Sequence, residues 1–385
     1  MGANYRPRAQ KQGPEMVLHV VCLDGTDQVK LQVNPTNIAR IFDTLGGAAS
    51  DAGNGSFETV VAGPPSLTGK YLPGVGTQGD PVLKLLGNAF GDGIAEPIVR
   101  GYTFLSRNYN PGDEIILTGF SRGATAARAL AGLVVAQGLL DKTQYITDNK
   151  TGAYLRAIAA WYAYRAPNGD LADQARLDLI GGTLGQPVPT LNPADYTPPP
   201  LIRAVGVFDT VSSLGLPQLN SSGEPVFDFS ICDTALNNNI QNGFHALAAD
   251  ETRDLFSPTF WATRNGVAQQ VFPGCHSDVG GGFPHRGLSD SALQWMLIQL
   301  QTAGLNCDPS GLNPPLAPNP LDVAEDDGAK FPFNLTPRSA RAFPDSATAS
   351  GCLIARWNQS TEMLPSFSPS PYKAVGAYAD GRALN

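Results

Sequence analysis

Ser121 stands between Gly119 and Gly123 in the stretch ILTGFSRGAT (residues 116–125), where an apolar run gives way to small, helix-forming residues. A serine hydroxyl is a weak nucleophile. It becomes reactive when a histidine takes its proton and a carboxylate fixes that histidine's tautomer and stabilises its charged form. In this chain three such groups follow apolar runs. Ser121 follows 114–118, Asp209 follows 201–207, and His276 follows 267–272. The order Ser, Asp, His is the one used with a G-x-S-x-G elbow, the turn that lifts a serine off the end of a parallel strand. The chemistry would be acyl transfer, which also needs two backbone N–H groups for the oxyanion. The residue after the nucleophile, Arg122, supplies the first, and Gly25 or Thr26 of Asp24-Gly25-Thr26 the second.

Few residues compete for these roles, because the chain has only four histidines. His19 lies inside an apolar run and reads as a core histidine. His245, in GFHALAADETR, falls in a predicted helix over 237–251 and suits a capping or supporting role. His285, in GGGFPHRG, is nine residues from His276 and is its rival as base. Asp250 and Asp278 are rivals to Asp209. Asp278 is two residues from His276, too close to reach its Nδ1, and is expected to bond loop amides instead. Asp24 is expected to stabilise its own turn. A metal-dependent phosphatase using Asp24, Asp209, Asp278 and His276 is an alternative, but it leaves the serine turn unexplained. Five scattered cysteines (Cys22, Cys232, Cys275, Cys307, Cys352) include no C-x-x-C pair and read as reduced thiols. No metal or other cofactor is expected.

The elements that must position these groups are short apolar strands over 16–23, 114–118, 201–207 and 267–272. Helices are predicted over 124–138, 154–165, 237–251 and 289–303, with Ser289 as an N-cap. This alternation predicts an α/β fold: a mostly parallel, buried central sheet with helices on both faces. In such sheets ligands gather beyond the carboxyl ends of the strands, where all the polar clusters would meet. Two Gly- and Pro-rich stretches, 48–92 and 169–200, read as long irregular insertions of the lid or binding-loop kind. The expected organisation is a flexible segment over 1–15, then one catalytic domain over 16–385 that becomes irregular from about 306.

With 26 basic and 34 acidic residues, a net charge of −8 and no basic cluster, nucleic acid is excluded as a partner. No apolar run approaches the roughly 20 residues of a membrane span. MVLHVVCL is too short for a signal-peptide core, so the protein is expected to be made in the cytoplasm without one.

Six blocks occur in order: LDGT, PGVGT, PGDEIILTGFSRGATAARALAGL, GVFDTVSSLG, HALAADETR and FPGCHSDVGGGFPHRGLSDSALQWM. Together they resemble the type VI secretion phospholipase-effector family, marked by GFSRGA, from about residue 17 to 300. The resemblance implies an α/β-hydrolase fold with Ser121, Asp209 and His276 as triad. It implies phospholipase A action on acyl esters of membrane phospholipids, in the periplasm of a target cell reached by a type VI system. A cognate immunity protein and a component of the secretion apparatus would be partners. Cys275 stands where such sequences often carry an aliphatic residue, and reads as a space-filler. Two other readings remain open: a carboxylesterase or cutinase-like hydrolase acting on non-lipid esters, and a binding protein built on a hydrolase fold.

Overall fold

Alternate residues of the first strand, β1 (Val17–Leu23), enter two different cores: Leu18, Val20 and Cys22 on one face, Val21 and Leu23 on the other. That is the signature of a strand covered on both sides. The computed structural model describes residues 16–63, 65–74, 94–145, 149–165, 171–211, 235–331, 333–358 and 374–384. The predicted 1–15 segment and the end of the 48–92 region lie outside these residues. In chain order the remaining strands are β2 (Ser50–Gly53), β3 (Ser56–Val61), β4 (Ser66–Leu72), β5 (Glu114–Phe120), β6 (Leu201–Phe208), β7 (Ile240–Ala248), β8 (Val267–Phe272), β9 (Ala342–Phe343), β10 (Ala347–Ala349) and β11 (Ala377–Tyr378). All but β9 and β11 form one sheet in the order β10-β8-β7-β6-β5-β1-β4-β3-β2. Pairings from β10 through to β4 are parallel, and the β4–β3 and β3–β2 pairings are antiparallel.

The helices are α1 (Asn37–Thr44), α2 (Ala95–Asn108), α3 (Arg122–Gln137), α4 (Lys150–Arg165), α5 (Leu171–Leu184), α6 (His276–Gly280), α7 (Gly287–Thr302) and α8 (Gly351–Asn358). On one face α2, α3 and α4 pack through Ile98, Tyr102, Leu130, Leu133, Ile158 and Trp161. On the other, α1 and α7 pack through Ile38, Phe42, Met296 and Leu300. The expected mostly parallel sheet with helices on both faces is therefore the observed fold.

Four local expectations are corrected. Residues 237–251 are not a helix but contain β7, flanked by β6 and β8. Buried on both faces, this strand shows no alternation of apolar and polar residues, so its Ala- and Leu-rich run reads as helical. The 48–92 insertion supplies β2, β3 and β4, which extend the sheet. The 169–200 insertion contains α5. Ser289 is not an N-cap: Arg286 holds that position, the Ser289 hydroxyl donates to the Arg286 carbonyl, and Asp322 accepts the Gly287 N–H at 2.7 Å.

Candidate active site

Strand β5 ends at Phe120, and the chain turns through Ser121 directly into α3. Ser121 has φ 57° and ψ −125°, close to the first central position of a type II′ turn, which glycine dominates. Its N–H donates to the Phe208 carbonyl at 3.1 Å, and its carbonyl accepts from Ala124 at 3.1 Å and Thr125 at 3.3 Å. The flanking glycines are sterically required. A Cβ on Gly123 would overlap the carbonyl oxygens of Leu23 and Asp24, and one on Gly119 would lie 2.7 Å from Ala124 Cα. Strands β1 and β5 and the start of α3 thus meet backbone to backbone under the serine.

The loop after β1 lies beside this turn. A Cβ on Gly25 would sit 2.8 Å from the Phe120 ring and 3.4 Å from Ser121 Cβ. Asp24 does stabilise its own turn: its carboxylate accepts from Gly25 N–H at 2.7 Å, from the Thr36 hydroxyl at 2.7 Å and from the Tyr71 hydroxyl at 2.6 Å. Burial pushes the Asp24 carboxyl up to about 6, against those three donors. Arg122 Nε donates to Thr26 Oγ1, tying the loop to the start of α3.

At the end of β6, Asp209 also adopts a left-handed backbone, with φ 41°. Its side chain is fully buried. Oδ2 accepts from His276 Nδ1 at 2.6 Å, and Oδ1 from Ala248 N–H at 3.0 Å. Arg341 donates to both oxygens, at 2.7 and 3.0 Å. Burial alone would raise this carboxyl; the Arg341 charge and His276 outweigh it and hold it below the usual carboxylate range.

His276 opens α6 and its ring lies against Phe120 (centroids 4.6 Å apart) and edge-on to Phe256 (4.9 Å). Its own N–H donates to Glu251 Oε2 at 3.2 Å. With Nδ1 on the carboxylate, Nε2 is buried and has no hydrogen-bond partner among the described residues. Phe120 thus packs against the histidine while its neighbour in sequence is the serine.

Asp250 and Asp278 brace the turn before α6. Asp250 accepts from Gly274 N–H at 2.7 Å, and Asp278 accepts from Cys275 N–H at 2.9 Å and Glu325 N–H at 3.0 Å. Burial pushes Asp278 up to about 7, and burial keeps the Cys275 thiol protonated. Cys22, Cys275 and Cys307 are buried, Cys352 partly so, and all four are unbridged; Cys232 lies outside the described residues. His245 sits in β7, not on a helix, and its Nε2 accepts the Thr210 N–H at 3.0 Å, next to Asp209 in the chain. Burial lowers it to about 3, so it is neutral. His285, by contrast, is half-exposed, 4.0 Å from Asp322. His19 is a buried strand residue between Thr68 and Asp113.

The structure therefore brings Asp209 and His276 together and sets Ser121 and Gly25 beside Phe120, with Thr26 tied to Arg122, while His285 faces a different carboxylate. Asp24, Asp209 and Asp278 each serve separate partners. Among the described residues no three His, Cys, Asp or Glu side chains are grouped to hold a metal ion. Sequence reasoning missed Arg341, Glu251 and Phe256. Glu251 lies inside the HALAADETR block, which was a usable signal; Arg341 sits among Pro- and Ser-rich residues and carries none. A cavity of about 640 Å³ between α4, α5 and residues 185–191 contains none of these groups.

A mostly parallel sheet covered on both faces, with a serine on a strained turn between a central strand and the next helix, is the α/β-hydrolase class of architecture. The chain belongs to the family described as T6SS, phospholipase effector Tle1-like, catalytic domain, whose model matches residues 18–299. It is 28% identical over 250 residues to an uncharacterized protein of Saccharomyces cerevisiae, covering 62% of this chain and 31% of the yeast protein. A crystal structure of an uncharacterized protein from Pseudomonas aeruginosa is similar with TM-score 0.38 and 16% identity, over 77% of this chain and 47% of that one. A Tle1 effector bound to the VgrG spike of a type 6 secretion system is similar with TM-score 0.37 and 17% identity, over 70% and 52%. The chain thus spans about a third of the yeast protein and about half of each solved one. Among the described residues no helix is long and apolar enough to cross a membrane.

Proposed function

We propose that this chain is a serine hydrolase of lipid acyl esters, acting as a phospholipase A on membrane phospholipids. The observation that carries this reading is the 2.6 Å bond from His276 Nδ1 to buried Asp209, which leaves Nε2 as the basic nitrogen. In the proposed mechanism His276 Nε2 takes the Ser121 proton as Oγ attacks the acyl carbonyl carbon. The resulting oxyanion is held by the N–H of Arg122 and that of Thr26, because the Gly25 N–H is committed to Asp24. The tetrahedral intermediate collapses as His276 gives the proton to the departing glycerol oxygen, leaving an acyl-serine. Water, deprotonated by His276, then attacks the same carbon; fatty acid leaves and Ser121 recovers its proton. Asp209 stays ionised throughout and holds the imidazole tautomer. Asp24, Asp278 and His245 support the surrounding loops, and His285 is read as a residue of a substrate loop.

Lipid is favoured over a soluble ester by Leu31 and Val33, which follow the Thr26 turn and are 79% and 96% exposed. Apolar side chains exposed on the stretch that follows the Thr26 turn suit a substrate presented at an interface. Family membership supports delivery by a type VI system to a target cell's periplasm, with a spike component as carrier and an immunity protein protecting the producer. The test is fluorophosphonate labelling together with mass spectrometry of products from phospholipid vesicles, using wild type and Ser121→Ala. Labelling and fatty-acid release by wild type alone are expected. Equal release by both proteins, or none by either, would refute the reading.

A further inference from the structure

We infer that Arg341, outside the residues matched by the family model, is a positioning residue for the acid–base pair, so that the segment beyond residue 306 completes the catalytic apparatus. The inference rests on the roles of Ser121, Asp209 and His276 proposed above.

A fully buried carboxylate beside a neutral histidine is electrostatically poorly supported, since burial favours the protonated acid. A protonated Asp209 would no longer hold Nδ1–H of His276 as a charged acceptor. Arg341 removes that difficulty in two ways. Its charge balances Asp209, and its two nitrogens bond one to each carboxylate oxygen. The carboxylate plane is thereby fixed, with Oδ2 also turned to His276 at 2.6 Å. The guanidinium is itself held, with Nη1 donating to the Ala248 carbonyl at 2.9 Å and Nη2 to the Phe256 carbonyl at 2.5 Å. The Arg341 carbonyl accepts from Ala377 N–H at 3.0 Å, which pins the backbone at the start of β9. A planar fork of donors makes these contacts; a lysine ammonium does not.

Other charged groups packed around the pair are engaged elsewhere. Arg253 is bonded to Glu251 at 2.6 and 2.8 Å, Arg128 donates to the Thr259 carbonyl at 2.5 Å, and Asp250 and Asp278 take loop amides. His245 is neutral and bonded to Thr210 N–H. Among the described residues Arg341 is the cation bonded to Asp209. A rival account makes Arg341 a clasp that only fastens the tail to the core. The two accounts predict different kinetics.

The experiment compares full-length wild type, Arg341→Met and Arg341→Lys for kcat, KM, the pH profile of kcat, and the low-field proton resonance of the histidine N–H bonded to Asp209. In Arg341→Met kcat should fall about 10- to 100-fold with KM nearly unchanged, the scale of losing a partner that orients a catalytic group. The acid limb of the profile should move up by about one to two pH units, since the cation bonded to Asp209 no longer opposes protonation of the pair. Arg341→Lys, which keeps the charge, should leave the acid limb in place and lose a smaller part of kcat. Wild-type kcat and an unmoved profile in Arg341→Met, even with a lower melt, would overturn the inference in favour of the clasp. If Arg341→Met does not fold, Arg341→Lys decides: a lowered kcat with a shifted low-field proton supports the inference, and wild-type values of both overturn it. If the wild type cleaves no ester, the functional reading fails on its own. The low-field proton then decides for Arg341: it should shift when that residue is replaced, and its constancy would overturn the inference.

Discussion

Replacing the proposed nucleophile with glycine should make the protein more stable while abolishing its activity. Ser121 is held at φ 57° and ψ −125°, where an L-residue brings Cβ against its own backbone. A residue kept in such a region stores about 1–3 kcal/mol. Glycine carries no such strain but loses about 0.5–1 kcal/mol through the greater freedom of the unfolded chain. Among the described residues the Ser121 side chain makes no capping hydrogen bond that would be lost. The balance for Ser121→Gly is therefore a gain of about 1 kcal/mol. Ser121→Ala keeps the Cβ and the strain, and should stay within about 0.5 kcal/mol of wild type. The comparison of glycine with alanine thus isolates the backbone term. Equilibrium urea unfolding of the three proteins, read as midpoint shifts at constant m-value, measures it, and ester turnover is measured on the same preparations. The reasoning fails if Ser121→Gly is no more stable than Ser121→Ala, because the turn would then not be strained. It fails independently if Ser121→Ala turns over substrate at a rate near wild type.

Gly123→Ala should destabilise by more than about 3 kcal/mol or fail to fold, since its Cβ overlaps two backbone carbonyls; an unchanged circular-dichroism melt would contradict the close approach of β1 to α3. Asp209→Asn should lower kcat on the order of 10⁴-fold and, by leaving the Arg341 guanidinium buried without its carboxylate, lower stability by about 3–5 kcal/mol. Asp278→Asn should retain most turnover when assayed in parallel, and the reverse ranking would reassign the acid. Replacing His285 with alanine should leave kcat within about twofold, because it is half-exposed and faces Asp322; loss of all turnover would make it the base. Folded Asp278, raised by burial to about 7, binds its proton more tightly than the unfolded chain does. Its contribution is therefore complete below the ordinary carboxylate value and is lost as pH rises through about 7. Stability of Asp278→Asn should fall less than that of wild type between about pH 4 and 7, and parallel curves would show that this carboxyl is not raised. Asp209, whose carboxyl is lowered, acts in the opposite sense: its contribution is present above the ordinary value and is lost on strong acidification.

What was legible in the chain, and what was not, divides along a physical line. Ser121, Asp209 and His276 could be proposed because each stands just past an apolar strand, and a parallel sheet delivers strand ends to one rim whatever its loops do. The two glycines around Ser121 were readable because their cause is local crowding. Strand β7 was misread because burial on both faces erases the alternation that marks a strand. His245 was therefore put on the wrong element even though it bonds the amide of Thr210, the neighbour of Asp209 and 35 residues before it. Arg341 was not legible at all. Its partner Asp209 lies 132 residues earlier, and no spacing rule connects a lone arginine in a Pro- and Ser-rich tail to a strand end. Groups proposed to react are announced by local context, whereas groups that hold them in place are recruited from wherever the folded chain passes. That difference bears on the extent of the working unit. Residues 18–299, which the family model matches, contain Ser121, Asp209 and His276. They contain neither the charge that balances Asp209 nor β10, which covers the edge of β8. A chain ending at residue 299 would keep every proposed reactive group and lose the cation bonded to its acid.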